Sequence, residues 1–372
     1  SAPEWGSGGR GFKSRRPDSP PPPRRGFVVP AGFRRRRSRA ARGITGQIPP
    51  SRLAYEDLYS RVQGTIAVTD TRWYEFLQER QLQEVNFWTP SDRRPVRAEP
   101  LSPFLFKLKA PHNAICGFGY FARWASLPDW LAWECFDEGN GCESLEELRR
   151  SIAQIRDRIG YIVSGALDNI GCILIVQPTF FPPSAWVQQP SDWPARTQTR
   201  KRYELDVGEG RRVWETYLAR AAALGGALAA GQRALAEHMP RYGAHYLVAP
   251  RLGQGTFRVA VTDAYGRACA VTGEHSLPVL EAAHLKPYAK GGLHEVRNGV
   301  LLRADLHRLF DQGYVTVTPE YWVEVSPRLR VEYQNGRSYY PFHGAPLQLP
   351  AQQNECPDPV LIGWHKQNIY LR

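Results

Sequence analysis

Residues 281–311, EAAHLKPYAKGGLHEVRNGVLLRADLHRLFD, constrain the fold of this chain more than any other stretch. The apolar segment 277–285 predicts a short strand that ends at His284. The Gly291–Gly292 pair permits a tight reversal of the chain, and the apolar run 299–302 predicts a second strand. We therefore expect a strand, a long loop and a returning strand.

A short helix is expected to follow the second strand. Leu306, Leu309 and Phe310 recur at helical spacing, which predicts an amphipathic helix. His307 lies beside this apolar stripe, and Asp311, four residues further on, lies over the same helix face. The pattern thus places one imidazole, at the end of a strand, opposite an imidazole–carboxylate pair on a helix.

These two groups suit the hydrolysis of a phosphodiester bond. A neutral imidazole can take a proton from water near pH 7. A divalent cation held by a nitrogen and an oxygen ligand can stabilise charge on a phosphate and on its leaving oxygen. Because phosphodiester hydrolysis needs both, the stretch indicates a nuclease.

The order His284, Asn298, His307 in this strand–loop–strand–helix context resembles the HNH endonucleases of the ββα-metal fold, over residues 265–325. The resemblance implies that His284 is the general base and that Asn298 fixes the loop and orients the base. It also implies that His307 is a metal ligand, with Asp311 in the place of a further helix ligand. The implied cofactor is Mg, Mn, Ni or Co, and nitrogen ligation favours the transition metals over magnesium.

The sequence departs from the family pattern at two points. Many members carry a His or Asp ligand just before the base, where this chain has Ala283, so Glu281 or a phosphate oxygen would have to compensate. Many members also hold a structural zinc with two Cys-x-x-Cys pairs. Here the position three residues after Cys269 is occupied by Thr272, and the sequence contains no Cys-x-x-Cys pair, so no structural zinc is expected.

Basic side chains flank the motif and are candidates for binding DNA phosphates. These are Lys286, Arg297, Arg303 and Arg308. For each one, a solvated basic face without a binding role is an equal alternative. The other histidines near the motif are interpreted as structural or solvated: His275, His294 and His343.

The basic charge of the chain is concentrated in its first 61 residues. Of the net charge of +12, residues 1–61 contribute +10, from 14 Lys and Arg against 4 Asp and Glu. This segment is rich in Pro, Gly, Ser and Arg, cannot bury enough apolar surface to order itself, and is predicted to be a disordered tail. It is expected either to add salt-sensitive, sequence-blind affinity for DNA or to be an extension with no role.

The segment 62–195 predicts a small mixed β-barrel. Five short stretches have strand composition, GTIAVTD, EVNFW, PFLFKL, AICGFGYF and CILIV, and Ser144 with Glu147 forms a capping box before a helix. The stretches EVNFWTP, PFLFKLKAPHNAICGFGYF and IGCILIVQPTFFPPSAW resemble the amino-terminal part of those HNH proteins whose front half is similar to the EVE or PUA-like group of small barrels. That group includes domains that recognise a modified nucleobase in an aromatic cage.

A flipped base must recover its lost stacking, and aromatic faces supply about 1–3 kcal/mol per stacked base. Trp88 and Phe118 are therefore candidates for stacking on a modified base, with Asn86 and Asn113 as candidates for recognising its edge. The alternative is that these aromatic residues belong to the core, as most aromatic residues in strands do.

The chain is expected to have an α+β fold, in which a PUA-like mixed β-barrel precedes a ββα-metal nuclease. One or two helices are predicted around 210–239, strands over 241–266, a hairpin over 314–326 and a terminal helix over 358–370. The predicted domains are a disordered tail (1–61), a base-recognition domain (62–195), a helical linker (196–250), an HNH nuclease domain (251–330) and a C-terminal extension (331–372).

The function expected from these features is metal-dependent cleavage of double-stranded DNA, directed by a modified cytosine. Two alternatives stay open: a DNA-binding protein with a degenerate site, and a toxin or general nuclease that ignores base modification. One such site cuts one strand, so a homodimer is expected for double-strand cleavage. The six cysteines show no paired spacing, and no run approaches the roughly 20 apolar residues of a membrane helix, so a cytoplasmic protein is expected. With DNA as its substrate, it is expected to associate with the bacterial nucleoid.

Overall fold

A computed structural model describes residues 62–162, 169–197, 199–225 and 253–372, all within one compact unit that spans residues 55–372. The predicted disordered tail and residues 226–250 of the predicted linker lie outside the described residues. The described residues have the predicted α+β architecture, with a mixed sheet followed by a strand–strand–helix unit. Among the described helices, none is long and apolar enough to cross a membrane.

The first half of the described chain forms one seven-stranded sheet, here called the front sheet. Its strand order is β2-β5-β4-β3-β1-β7, and β6 pairs with β4. Strands β1 and β3 are parallel and the other neighbours are antiparallel, so the sheet is mixed, as predicted. The strands are β1 (Gln63–Thr69), β2 (Glu84–Thr89), β3 (Pro103–Leu108), β4 (Ala114–Leu127), β5 (Ile170–Phe180), β6 (Val187–Gln188) and β7 (Arg200–Glu204).

The front sheet extends further along the chain than the sequence indicates. Strand β7 pairs antiparallel with β1, so residues 200–204, predicted to belong to a helical linker, complete the sheet. The segment RKRYE has too few apolar residues to predict a strand. It forms one because its backbone pairs with β1. A helix follows it as predicted, at Gly208–Gly225, and the described part of this segment ends at Gly225.

Four helices accompany the front sheet: α1 (Thr71–Gln78), α2 (Asp129–Phe136), α3 (Leu145–Arg158) and α4 (Gly208–Gly225). Helix α3 begins as predicted, because the Ser144 hydroxyl accepts a hydrogen bond from the Glu147 backbone N–H at 3.2 Å. The Glu147 carboxylate accepts from the Glu143 N–H at 3.1 Å, one residue before the position that a capping box requires.

Both faces of the front sheet are buried, and β5 shows how. Ile173 and Ile175 point to one face, where they pack with residues of α1. Cys172 and Leu174 point to the other face, where they pack with residues of α2 and α3. Because successive side chains of a strand alternate between faces, an apolar run such as CILIV predicts this double burial.

The second half of the described chain contains the predicted strand–loop–strand–helix unit. Strands β8 (Leu280–His284) and β9 (Gly299–Arg303) pair antiparallel, with His284 opposite Gly299, and helix α6 (Ala304–Asp311) follows directly. The other elements are α5 (Gln254–Ala264), a hairpin of β10 (Val315–Val317) and β11 (Val323–Val325), α7 (Arg328–Tyr333) and α8 (Pro359–Asn368). The predicted hairpin and terminal helix are thereby confirmed.

One secondary-structure prediction is wrong, because residues 254–264, expected in strands, form the helix α5. The sequence FRVAVT has the β-branched composition of a strand, but tertiary contacts decide its conformation. The Glu84 carboxylate accepts hydrogen bonds from the N–H groups of Gly255 (2.7 Å) and Thr256 (2.9 Å), which caps the first turn. Glu84 lies 171 positions earlier in the chain, so no local pattern could predict this cap.

Helix α5 joins the front sheet to the strand–strand–helix unit. Besides the cap from Glu84 in β2, the Arg123 guanidinium of β4 donates to the Ala260 carbonyl at 3.1 Å. Arg258 forms an ion pair with Glu134 of α2 at 2.8 Å. On its other side, α5 contributes buried residues to the core around β8 and β9. The two halves are therefore packed against each other along this helix.

Candidate active site

His284 is the last residue of β8, and its side chain is held by two rings. Its imidazole stacks on Phe257 of α5, with ring centroids 4.0 Å apart and an interplanar angle of 14°. Its Nε2 lies 3.0 Å from Nδ1 of His294. Burial lowers the pKa of His284 to about 4, and the positive charges that His294 and His307 can carry add to this effect. His284 is therefore neutral at pH 7 and able to accept a proton.

Asn298 closes the loop between the two strands. Its side chain is 1% exposed. Its Oδ1 accepts from the Lys286 N–H at 2.9 Å, while its Nδ2 donates to the carbonyls of Lys286 (2.9 Å) and Leu293 (2.8 Å). A Cβ at Gly292 would lie 1.9 Å from the Lys286 carbonyl oxygen, so this turn requires glycine. Asn298 thus lies where the family resemblance expects a residue that fixes the loop.

His307 lies between two carboxylates. Its Nδ1 is 2.6 Å from Oε2 of Glu281, and its Nε2 is 3.3 Å from Oδ2 of Asp311, four residues further along α6. The pKa of Asp311 is raised, chiefly by desolvation; His307 opposes the shift and Glu281 adds to it. The helix and the first strand are therefore linked through the ring that the sequence predicts as a metal ligand.

The strand-end imidazole and the helix pair share one cavity of about 600 Å³. Its walls include Glu281, His284, His307 and Asp311, which places both predicted groups in the same space. The front half contributes Glu134 to the wall. The two histidines therefore face the same cavity and do not point into separate cores.

The donor set fits a divalent cation. Nε2 of His307 with the Asp311 carboxylate offers one nitrogen and one oxygen ligand, which suits a transition metal. Glu281 at Nδ1 would act as the carboxylate that orients a metal-bound histidine through its other nitrogen. In the part of the chain that the structure describes, no three His, Cys, Asp or Glu side chains form a complete metal cluster. Water and phosphate oxygens would therefore complete the coordination.

Two of the four basic residues expected to bind DNA are paired within the protein. Arg303 makes a two-pronged ion pair with Asp305, at 2.7 and 2.8 Å. Arg297 pairs with Asp358 at 2.9 Å. Their charges are partly neutralised, so they are weaker candidates for phosphate contacts than the sequence suggests.

The other two basic residues are more available. The Lys286 ammonium lies 5.5 Å from the centre of the Trp364 ring, and Arg308 is exposed on α6. Neither forms an ion pair with a described carboxylate. Both lie next to residues of the cavity, so they remain candidates for holding the DNA backbone.

The residues expected to form a modified-base pocket are not brought together. Asn86 is fully buried, and its amide donates to Asn140 Oδ1 at 2.9 Å. Trp88 Nε1 donates to the Asn140 carbonyl at 3.0 Å, and its ring packs against the same core as α2 and α3. Asn86 is buried and Trp88 is partly buried, and both side chains make hydrogen bonds to Asn140 instead of lining a pocket together.

Phe118 and Asn113 lie elsewhere. Phe118 is buried in a different core cluster, with its ring centroid 4.2 Å from that of Tyr217 of α4. Asn113 accepts a hydrogen bond from Lys107 Nζ at 3.3 Å. The core interpretation of the aromatic residues is therefore the better one, because Phe118 and Trp88 pack against two different core clusters.

Sequence reasoning missed His294 and weighed Glu281 only as a substitute ligand. His294 lies in the loop after β8, where burial lowers its pKa while the negative charge of Glu84 opposes the shift. Its position depends on the loop closed by Asn298, which brings residue 294 back against residue 284. The sequence signal for this role is the presence of a histidine, His294, in the loop between Gly292 and Asn298.

A histidine at a strand end, a loop closed by an asparagine, and a histidine–aspartate pair on the following helix form the arrangement expected of a ββα-type nuclease site. Residues 269–318 match the HNH endonuclease family, and this match contains every one of these residues. This region is an HNH endonuclease domain, and the protein is an enzyme of the nuclease class.

Similar solved structures include an ASCH protein from Zymomonas mobilis, which is 10% identical with a TM-score of 0.29. The alignment covers 41% of this chain and 94% of that one. The modification-dependent restriction endonuclease TagI is 12% identical with a TM-score of 0.26, over 78% of each chain. Both TM-scores are below 0.5, so the assignment rests on the family match and the site. A comparison with curated proteins finds no match.

Proposed function

We propose that this protein is a metal-dependent DNA endonuclease that cleaves double-stranded DNA in response to a modified cytosine. One observation carries the catalytic part of the proposal. His284 and the His307–Asp311 pair line the same cavity, within the region that matches the HNH endonuclease family.

In the proposed mechanism His284 acts as the general base. Its neutral imidazole takes a proton from a water molecule, and the resulting hydroxide attacks the phosphorus atom, which breaks the P–O bond to the leaving oxygen. Asn298 keeps the loop in place, and Phe257 holds the imidazole plane by stacking at 4.0 Å. Lys286 and Arg308 are proposed to hold the DNA backbone from the rim of the site.

His307 and Asp311 are proposed to hold a divalent cation, Mg, Mn, Ni or Co, which when bound stabilises charge on the phosphate and its leaving oxygen. The Glu281 contact supports this assignment despite Ala283. Its carboxylate lies against His307 Nδ1, where it fixes the ring orientation that ligation through Nε2 requires.

The dependence on a modified cytosine is supported by two features of the front half. Its sequence resembles domains that recognise modified bases, and its sheet is hydrogen-bonded to the first turn of α5 and to Ala260 further along the same helix. The buried positions of Asn86 and Phe118 mean that the recognition surface is built from other residues. Because one site cuts one strand, we also propose that a homodimer makes double-strand breaks.

The experiment compares DNA duplexes of one sequence that contain cytosine, 5-methylcytosine or 5-hydroxymethylcytosine. Each is incubated with the full chain and Mg, Mn, Ni or Co, with a chelator as control. The proposal predicts metal-dependent cleavage of a modified duplex and little cleavage of the unmodified one. Equal cleavage of all duplexes would indicate a general nuclease, and binding without cleavage in every metal would indicate a degenerate site.

A further inference from the structure

We infer that His294 is a positioning residue for the general base, acting as the hydrogen-bond acceptor that leaves Nδ1 of His284 free to take a proton. The inference rests on the proposed nuclease function and adds to it a residue from the loop. The observation that motivates it is the 3.0 Å distance between His284 Nε2 and His294 Nδ1.

The two facing nitrogens restrict the tautomers of the pair. Each neutral imidazole carries one proton, and exactly one of the facing nitrogens must carry it for a hydrogen bond to form. If His294 donated from Nδ1, His284 Nε2 would be the acceptor and Nδ1 would carry the proton of His284. His284 would then have no free lone pair for a water proton. Catalysis by His284 therefore requires that His284 donates and His294 accepts.

The structure holds His294 in the place that this role needs. Its ring stacks on Tyr288, with centroids 4.8 Å apart and planes within 4° of parallel. The carbonyl of the preceding residue, Leu293, accepts a hydrogen bond from Asn298 Nδ2 at 2.8 Å. Phe257 contacts both rings, with its ring centroid 4.0 Å from that of His284 and 5.7 Å from that of His294.

The same contact stabilises the product of proton transfer. When His284 Nδ1 accepts the proton of the attacking water, the ring becomes an imidazolium with both nitrogens protonated. Its Nε2–H then donates a charge-assisted hydrogen bond to His294 Nδ1, which is stronger than the bond between two neutral rings. When His294 is the acceptor, it therefore stabilises both the reactive tautomer and the charge that develops in the transition state.

Two variants separate hydrogen bonding from packing. His294→Asn places an amide oxygen near the position of Nδ1, whereas His294→Leu fills similar space without an acceptor. We expect His294→Leu to lower kcat by about 10- to 100-fold with KM unchanged, and His294→Asn to recover most of the loss. His275→Leu, at an exposed position of the same domain, is the matched control. Equal rates for His294→Leu and the unaltered chain would overturn the inference, as would equally large losses in both variants.

A second measurement does not depend on cleavage. Nitrogen-15 NMR of histidine-labelled protein reports which ring nitrogens carry protons. The inference predicts a protonated Nε2 on His284, an unprotonated Nδ1 on His294, and a coupling across the hydrogen bond that disappears in His294→Leu. A proton on His294 Nδ1 would overturn the inference even if the nuclease is active. Conversely, the predicted tautomers in a chain that cleaves no DNA would contradict the proposed function alone.

Discussion

Glu281, in the strand that ends at the proposed base His284, lies 2.6 Å from Nδ1 of His307, in the helix that carries the proposed metal ligands. This contact crosses 26 residues of sequence and fixes the helix against the strand. It also assigns a carboxylate to the site in a chain whose residue before the base is alanine. We therefore propose that Glu281 compensates for the departure at Ala283.

Replacement of Glu281 by alanine should weaken metal binding. Without the carboxylate, the His307 ring loses the partner that orients it, and the affinity for Mn²⁺ or Ni²⁺ should fall by about 10- to 100-fold. Isothermal titration calorimetry measures this change. Glu295→Ala, at an exposed position of the same domain, should bind as the unaltered chain does. Unchanged affinity in Glu281→Ala would show that the contact does not support a metal site.

Replacement of Asn298 by alanine should destabilise the nuclease domain. The change leaves one N–H and two carbonyl groups of the loop without their partner, and the expected loss in the free energy of unfolding is about 2–3 kcal/mol. Urea denaturation provides the measurement. Lys290→Ala, at an exposed position in the same loop, should change stability by less than about 0.5 kcal/mol. If the two variants were equally stable, Asn298 would not be the residue that closes the loop.

The stability of the protein should fall between pH 6.5 and pH 4. His365 is 2% exposed; its Nε2 donates to the Phe310 carbonyl at 3.2 Å, and its Nδ1 accepts from the Thr316 hydroxyl at 2.9 Å. Burial lowers its pKa to about 4. In this pH range the unfolded chain binds more protons than the folded chain, so the free energy of unfolding decreases as the pH falls.

The shift at His365 corresponds to about 3 kcal/mol, fully present above the pKa of the unfolded chain and lost toward pH 4. His284 acts in the same direction, because its pKa is also lowered. Thermal unfolding of the unaltered chain and of His365→Gln across this range provides the measurement, and the variant should show the shallower dependence. A stability profile that is flat from pH 7 to pH 4.5 would contradict the proposed protonation states.

Replacement of Glu84 by alanine should affect both halves of the protein. The loss of the cap on α5 should destabilise the fold by about 1–2 kcal/mol. Because α5 carries Phe257, which stacks on His284, DNA cleavage should also slow in a chain that remains folded. Glu99→Ala, at an exposed position of the front half, is the control for both measurements. Full activity in Glu84→Ala would show that the cap does not support the active site.

The sequence was informative where the signal is local. The apolar runs on each side of the Gly291–Gly292 turn, and the helical spacing around His307, predict the strand–loop–strand–helix unit within a few residues. The same pattern places His284 and Asp311 in their elements. Each of these features depends on residues close in sequence, whose periodicity determines which side chains share a face.

Other features depend on contacts between distant residues. Helix α5 has the composition of a strand, and its first turn is capped by Glu84 of the front sheet. Trp88 and Phe118 are aromatic residues in strands, and only the packing of α2, α3 and α4 decides that they belong to cores. His294 reaches His284 through the folded path of the loop, which the spacing of ten residues does not specify.

Single-turnover cleavage of a DNA duplex by the unaltered chain and by His284→Ala, with metal in excess, tests the central claim most directly. The two forms should bind the duplex and the metal equally, while the rate of strand cleavage in His284→Ala should be lower by about 100- to 10,000-fold. His275→Ala should cleave at the unaltered rate. Equal cleavage by the unaltered chain and His284→Ala would contradict the assignment of His284 as the base.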